Sequence, residues 1–202
     1  MDAAEACFRR YGLLKTTVED VARAAEVSRA TVYRYFGDRD ELILGVLRRE
    51  ADRFLERLAA KIDRARRFED ALVTGVLFTV DTVRSDQTLA LLFAPETVGI
   101  TTSVAGASEL LFELTSKFLR PRFSLARRAG SLRDDIDLDE AAEWTLRAIL
   151  SLLSVRPPTP RAEADSRRFL STFLVPALAT PATTRPSARR RRTKRAEASA
   201  GI

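Results

Sequence analysis

The fold of this chain is decided by residues 16–36, TTVEDVARAAEVSRATVYRYF. A helix begins at Thr16 or Thr17, because each has an acidic residue three positions later, as in a capping box, and both registers stay open. After a short break, Ser28 caps a second helix, which ends at Gly37. Two helices joined by a short turn predict a helix-turn-helix.

The second of these helices presents an outward face without acidic residues. At about 100° per residue, Val32 and Phe36 lie within about 40° of each other and face inward. The residues that then point outward are Ala30, Thr31, Tyr33 and Arg34. This face suits a DNA major groove, where arginine reads guanine edges, threonine or alanine contacts thymine methyl groups, and tyrosine hydroxyls bond phosphates. A plain three-helix bundle with half-buried tyrosines is the alternative.

The flanking helices support the DNA interpretation. One begins near Thr17, and a long helix begins at Arg39, capped by Asp38 with Glu41 as its reciprocal partner. Helix N-termini offer backbone N–H groups and the positive end of a dipole to phosphates. We therefore expect three helix starts to contact one duplex.

The rest of the chain also predicts helices. Apolar residues recur at spacings of three and four, and only eight glycines interrupt them, which favours an all-α fold. The predicted helices span residues 2–11, 16 or 17 to 25, 29–36, 39 to about 65, 68–84, 86–94, 105–125, 138–154 and 162–178. The uncharged segment from Thr97 to Ser108 is a loop, a frayed helix start or a ligand-lined segment.

These elements divide the chain into three parts. We predict an N-terminal three-helix helix-turn-helix domain that binds DNA over residues 1–45. A helical C-terminal domain for effector binding and dimerisation follows over residues 46–180. Residues 181–202 are expected to form a disordered basic tail, because prolines bound a segment that cannot build a core.

The composition excludes several classes of function. The net charge is +6, but seven basic residues lie within 185–195, and the chain before Pro181 is balanced at 27 basic against 27 acidic residues. With no histidine and one cysteine, the sequence lacks a histidine-dependent triad, a cysteine-rich zinc site and an internal disulfide. It shows neither an apolar run long enough for a membrane span nor a signal-peptide pattern. We expect a soluble cytoplasmic protein without cofactor or metal.

Four motifs follow one another in order at fixed spacing: Thr16-Thr17-Val18-Glu19-Asp20-Val21-Ala22, Ala25-Glu26-Val27-Ser28, Thr31-Val32-Tyr33-Arg34-Tyr35-Phe36 and Arg39-Asp40-Glu41-Leu42. They closely resemble the DNA-binding domain of TetR-family transcriptional regulators, over the first 45 to 50 residues. The resemblance implies an all-α homodimer whose variable C-terminal domain binds a small molecule. It also implies a repressor that a ligand releases from a palindromic operator.

The resemblance assigns roles to single residues. The family's phosphate contacts would fall on Thr17, Tyr33, Tyr35 and Arg39. Its base-reading positions would fall on Arg29, Ala30 and Thr31. Arg34 is added from the helical face described above, not from the family.

Two features depart from the family pattern. Glu26 stands where the family usually has glycine, and a left-handed glutamate would cost about 1 to 3 kcal/mol, so we expect a different turn geometry. The first helix is also shorter at its start than the family's usual one, which indicates either an incorrectly placed start or the loss of an N-terminal arm that would otherwise contact DNA.

Five aromatic residues are candidates for lining a pocket that takes a small apolar or aromatic effector: Phe78, Phe93, Phe112, Phe118 and Trp144. Ordinary core packing is the alternative for each. The acidic residues at 134–140 lack the glycine and glutamate positions of a calcium loop, so we expect them to cap a helix near Asp139. Cys7 lies on an apolar helix face and is expected to be buried and inert.

Two C-terminal helices offer apolar surface for a four-helix interface between two copies of the chain. The residues are Leu146, Ile149, Leu150, Leu152, Leu153, Phe169, Leu170, Phe173 and Leu174. The long helix from Arg39 to about Ala65 is expected to carry ligand-induced motion to the DNA-binding helices.

Two other functions compete with this interpretation. A helical carboxylate enzyme is disfavoured, because the paired Glu-x-x-His motif of such sites needs histidine, which the chain lacks. A nonspecific nucleoid-associated protein would bind phosphates through the basic run Arg189 to Arg195. Preference for one operator over random DNA, by about 10³ or more, separates a specific regulator from such a protein.

Overall fold

The computed structural model describes residues 1–12, 15–86, 89, 107–155 and 159–181. The predicted all-α class is confirmed, since the described residues form helices and one isolated bridge between Leu132 and Ala179, with no β-strand among them. The helices are α1 Asp2–Tyr11, α2 Val18–Ala24, α3 Arg29–Phe36, α4 Arg39–Ile62, α5 Phe68–Ser85, α6 Ala107–Arg128, α7 Leu138–Ser154, α8 Glu163–Phe173 and α9 Val175–Leu178.

Most predicted helices agree with these bounds, and three differ. Helix α6 ends at Arg128, three residues beyond the predicted end at 125. The long helix ends at Ile62 rather than near Ala65, with Asp63 as its C-cap. The predicted helix 162–178 is divided at Leu174, because Pro176 has no N–H with which to continue the ladder.

The segment after α5 is described only at Asp86 and Leu89. Asp86 has an extended backbone and ends α5, and its carboxylate accepts the N–H of Leu89 at 3.0 Å. This bond is that of a helix N-cap, and Leu89 is helical, so both agree with a helix that begins after Asp86. The other residues of the predicted helix 86–94 lie outside the described residues. So do residues 97–106 of the uncharged segment and the tail beyond Pro181.

The N-terminal helices pack around the first turns of α4. The buried cluster comprises Ala4, Cys7, Phe8, Val21, Leu42, Ile43, Val46, Val83 and Leu89. The sequence leaves the N-cap of α2 open between Thr16 and Thr17, and the structure shows that it is Thr17. The Thr17 hydroxyl accepts the Asp20 N–H, and the Asp20 carboxylate accepts the Thr17 N–H. Thr16 is instead buried, and its hydroxyl donates to the carbonyls of Cys7 and Gly12.

A second core lies among α5, α6, α7, α8 and α9. Its buried residues are Leu72, Val73, Val76, Phe123, Leu132, Ala141, Ala142, Leu170, Leu174 and Leu178. Three residues predicted for an interface between chains, Leu146, Leu170 and Leu174, are buried within this one chain, which corrects that assignment. The inner faces of α7 and α8 are buried in the core that these helices form with α5 and α6, so they cannot contact a second copy of the chain.

The acidic cluster at 134–140 acts as predicted, as a helix cap. The Asp137 carboxylate accepts the N–H groups of Asp139 and Glu140, and these bonds lower the pKa of that carboxyl. No group of three metal-ligating side chains occurs in the described part of the chain. Among the same residues, no helix is both long and apolar enough to cross a membrane.

The turn between α2 and α3 takes a left-handed conformation, contrary to our expectation. Glu26 has φ 55°, and it is the non-glycine residue with positive φ among those described. The N–H groups of Glu26 and Val27 donate to the carbonyls of Arg23 and Ala22, a Schellman arrangement that satisfies the end of α2. These two hydrogen bonds keep Glu26 in the left-handed conformation, although residues other than glycine disfavour it.

Replacing Glu26 by glycine should therefore stabilise the protein. We expect Glu26→Gly to raise the free energy of unfolding by about 1 kcal/mol, because the left-handed conformation costs a side chain roughly 1–2 kcal/mol, partly offset by the entropy of glycine. Ala25→Gly is the matched control, since Ala25 has right-handed φ and ψ and should lose about 0.5–1 kcal/mol. Denaturant unfolding measures both, and equal effects of the two changes would contradict the strain argument.

Candidate functional site

Helix α3 presents the outward face that the helical wheel predicts. Val32 is buried, whereas Arg29, Ala30, Tyr33 and Arg34 are exposed. Tyr35 is exposed too, and Thr31 is half-buried. The structure thus brings the candidate DNA-contacting residues of α3 onto an accessible surface.

An acidic neighbour modifies this surface in a way that α3 alone does not reveal. Arg29 Nη1 lies 2.5 Å from Glu19 Oε1 of α2, and its guanidinium lies 5.9 Å from the centre of the Tyr33 ring. Both groups of the ion pair are accessible to solvent, so the pair is weak. The guanidinium is therefore accessible and can exchange its carboxylate partner for another acceptor.

Two other side chains of α3 are held by local contacts. The Arg34 guanidinium lies 5.5 Å from the centre of the Tyr35 ring. The hydroxyls of Thr31 and Ser28 are 2.9 Å apart, and the Thr31 N–H donates to Ser28 Oγ at 3.1 Å. The start of α3 is thereby fixed by the cap that the sequence predicts.

The predicted phosphate-contacting residues Thr17 and Arg39 lie at the starts of α2 and α4. The Thr17 hydroxyl donates to Asp20 at 2.7 Å, and this bond, together with the Thr17 N–H, lowers the pKa of the Asp20 carboxyl. Arg39 Nε donates to the Thr16 carbonyl at 3.2 Å. The Arg39 side chain therefore links the N-terminus of α4 to the segment that begins α2.

A buried acid joins α1 to α4. Glu5 is 4% exposed, and its carboxylate lies 3.3 Å from Arg49 Nε and 3.1 Å from Arg53 Nη1. Asp2 and Glu50 flank the network, at 2.5 Å from Arg49 and 2.6 Å from Arg53. Sequence reasoning missed this network; its signal is the pair of arginines four residues apart on α4.

An apolar cavity of about 180 Å³ lies between α4, α5, α6 and α7. Helix α4 lines it from Leu47 to Ile62, which is more than half of its length. The aromatic residues in its wall are Phe54, Phe68, Phe118 and Phe123. Thr79 and Thr145 also line it, but their hydroxyls donate to helix carbonyls at 2.8 Å.

Of the aromatic residues proposed from the sequence, Phe118 lies in the wall of this cavity and three others do not. Phe78 stacks on Phe54, with ring centres 6.1 Å apart, and does not reach the lining. Phe112 is exposed, and Trp144 is 50% exposed. Helical phase is the reason, since Phe112 lies between the inward-facing Leu110 and Leu114. Phe93 lies outside the described residues.

The other aromatic residues of the wall, and its one charged residue among those described, were not predicted from the sequence. The aromatic ones belong to rows of apolar residues spaced three or four apart, which the sequence contains: Phe54, Phe68 and Phe123. Arg122 is the unexpected member, since it continues a stripe that contains Phe118, four residues earlier. A charged residue at an inward position of an apolar stripe is the signal that could have identified it.

Comparisons with known proteins agree on one family. Residues 1–46 match the family described as bacterial regulatory proteins, tetR family. An uncharacterized HTH-type transcriptional regulator of Mycobacterium tuberculosis is 32% identical over 182 residues, covering 90% of this chain and 84% of the relative.

Solved structures show the same fold. A TetR-family transcriptional regulator from Pectobacterium atrosepticum is 17% identical, with a TM-score of 0.63 over 90% of this chain and 93% of that chain. The regulator FadR of Bacillus subtilis, in complex with stearoyl-CoA, is 16% identical, with a TM-score of 0.57 over 86% of this chain and 95% of that chain.

Proposed function

Since the chain belongs to the TetR family of bacterial regulatory proteins and is a DNA-binding transcriptional regulator, we propose that it is a repressor which leaves a palindromic operator when a small apolar ligand enters its cavity. The observation that carries this proposal is the position of α4. It begins beside the candidate DNA-binding face and then lines the cavity. The protein would act in the cytoplasm, where its operator lies.

Helix α4 gives the ligand a physical route to the DNA. A packed helix moves as a unit, so a ligand that displaces residues 47–62 also moves the N-terminus of α4. That end is bonded to Thr16 through Arg39, and the middle of the helix is bonded to α1 through Arg49 and Arg53, which contact Glu5. A dimer can contact adjacent major grooves only if its two recognition helices are about 34 to 36 Å apart, so a small tilt weakens binding.

The chemistry of the wall supports an apolar ligand. The lining is almost entirely aliphatic and aromatic, as in most small-molecule sites. The Bacillus subtilis regulator of similar fold was crystallised with an acyl-CoA, which shows that this architecture can accept such a ligand. By linkage, a ligand that weakens operator binding must itself bind the operator complex more weakly, typically by 1–3 kcal/mol.

We assign the DNA contacts to residues on the face of α3 and at the two neighbouring helix starts. Phosphates would be bound by Thr17, Tyr33, Tyr35 and Arg39. Bases would be contacted by Arg29, Ala30, Thr31 and Arg34. The exposure of α3 supports this assignment, and Arg29 would exchange Glu19 for a base edge.

We assign dimerisation to the outer faces of α7 and α8. Phe173, at the end of α8, and Val155, directly after α7, are each 66% exposed, and both would be buried if these helices formed an interface. The other half-buried apolar residues that the sequence predicts for the interface lie on the same two helices: Leu150, Leu152, Leu153 and Phe169. Ile149 lines the cavity instead. A palindromic operator requires a two-fold symmetric protein, which this surface can supply.

Substitutions on α3 test the DNA contacts. On an operator selected from a random duplex pool, Arg29→Ala should cost about 1–3 kcal/mol and relax the preference at one base pair per half-site. Tyr33→Phe should weaken binding to operator and random duplex alike, because it removes a phosphate contact. Fluorescence anisotropy measures both. Arg64→Ala, an exposed position beyond α4, is the control, and wild-type affinity in both α3 variants would contradict the assignment.

Substitution of Phe173 tests the dimer. We expect a dimer at micromolar concentration by analytical ultracentrifugation, and Phe173→Asp should shift it toward monomer by placing a charge in the interface. Leu125→Asp, at an exposed leucine of α6, should leave the dimer intact. A monomeric wild-type protein, or equal behaviour of both variants, would refute the proposed surface.

Filling the cavity tests ligand control. In a panel of apolar and aromatic compounds, those that raise the melting temperature should also release the operator. Ala51→Phe in the wall of α4 should abolish both effects, because the added ring occupies the site. Ala60→Phe on the exposed side of the same helix should retain both. Compounds that stabilise the wild-type protein without changing operator affinity would refute the role of α4.

A further inference from the structure

Arg122 is the charged residue in the wall of the cavity, as far as the described residues define that wall. It is half-buried on α6, and its Nε is fully buried without a hydrogen-bond partner. Three threonines provide the remaining side-chain polarity of the lining: Thr79, Thr115 and Thr145. A single cation therefore stands among aliphatic and aromatic groups.

The contacts of the guanidinium hold it without neutralising it. Nη1 donates to the Phe118 carbonyl at 2.9 Å, and Cζ lies 3.8 Å from the centre of the Phe118 ring. Within the described ranges, no carboxylate lies within 4.0 Å of Arg122. The ring contact and the carbonyl bond fix the direction of the side chain, but they leave its positive charge uncompensated.

An uncompensated guanidinium beside an apolar cavity creates a strong preference for an anion. Arginine stays protonated in proteins, so it cannot escape the cost of burial by losing its proton. A carboxylate can accept two parallel N–H bonds from the fork of nitrogens. Outside the described residues the sequence holds two acids, Glu96 and Glu197, and no others.

We propose that the ligand of this cavity is a carboxylic acid with an apolar body, and that Arg122 binds its carboxylate. This inference rests on the proposed function and adds the chemical class of the effector. The cavity of about 180 Å³ exceeds the roughly 150 Å³ of an engineered apolar cavity that binds benzene, so a body of about six to eight carbons fits. The apolar wall holds the body, while Arg122 distinguishes an acid from a neutral analogue.

Matched ligands of one chain length test the proposal. Octanoate, octanamide and 1-octanol have the same alkyl body, and calorimetric titration of the full chain measures their affinities. Wild-type protein should bind octanoate about tenfold or more tightly than octanamide, because only the carboxylate forms charge-assisted hydrogen bonds with the guanidinium. Octanoate should also release the operator at the lowest concentration.

Variants of Arg122 locate the source of that preference. Arg122→Met keeps the length of the side chain and should equalise octanoate and octanamide, leaving octanamide affinity unchanged. Arg122→Lys should retain a reduced preference, because an ammonium cannot form the parallel pair of bonds. Arg128→Met, at an exposed position of the same helix, should behave as wild type. If Arg122→Met does not fold, the lysine variant still decides the question.

Each contrary outcome has its own meaning. If all three ligands bind equally and release the operator, the carboxylate inference is wrong and the proposed function stands. If none binds and no other apolar compound releases the operator, both are wrong. A preference that survives in Arg122→Met places the carboxylate elsewhere. A preference that arises only in Glu96→Gln identifies Glu96 as the partner of Arg122 and overturns the inference.

Discussion

One helix belongs to both halves of this molecule, and the rest of the structure depends on that constraint. Leu42, Ile43 and Val46 of α4 are buried with α1 and α2, while Leu58 and Ile62 face the cavity and α5. No hinge separates these two sets, since α4 is continuous from Arg39 to Ile62. A backbone in which every inner residue is hydrogen-bonded cannot bend locally without losing bonds. The candidate DNA-binding face and the cavity therefore share one continuous helix.

Polar contacts add direction to this connection. Apolar packing alone allows a helix to slide or rotate, because it lacks strict geometry. The Glu5 carboxylate between Arg49 and Arg53, and the bond from Arg39 to the Thr16 carbonyl, restrict both motions. Removing one partner of a buried ion pair leaves an uncompensated charge, so the network resists separation of α1 from α4. These bonds convert a hydrophobic contact into a defined orientation.

Local sequence signals predicted most of the N-terminal domain. Caps and helix ends depend on a few neighbouring residues, so Ser28, Gly37 and Asp38 could be identified from the sequence. Contacts between helices could not, because periodicity gives the apolar face of a helix but not its neighbour. For that reason the ion pair of Arg29 with Glu19 could not be predicted from the sequence. For the same reason the sequence predicts Phe112 and Trp144 in a cavity wall to which they do not belong. Glu26 shows the opposite case, where residue preference was outweighed by the bonds that close α2.

The single thiol of the chain lies where the first two helices meet. Cys7 is buried, its Sγ lies 3.6 Å from the Asp20 carbonyl, and burial raises the pKa of the thiol. Only the thiolate reacts with alkylating reagents. The thiol is therefore unreactive for two reasons: reagents cannot reach it, and its raised pKa keeps it protonated. Alkylation must then wait for α1 to separate from α2. The labelling rate of the unmodified protein thus reports how often its DNA-binding domain opens, and a cysteine introduced on the exposed face of α3 can be labelled without competition from Cys7.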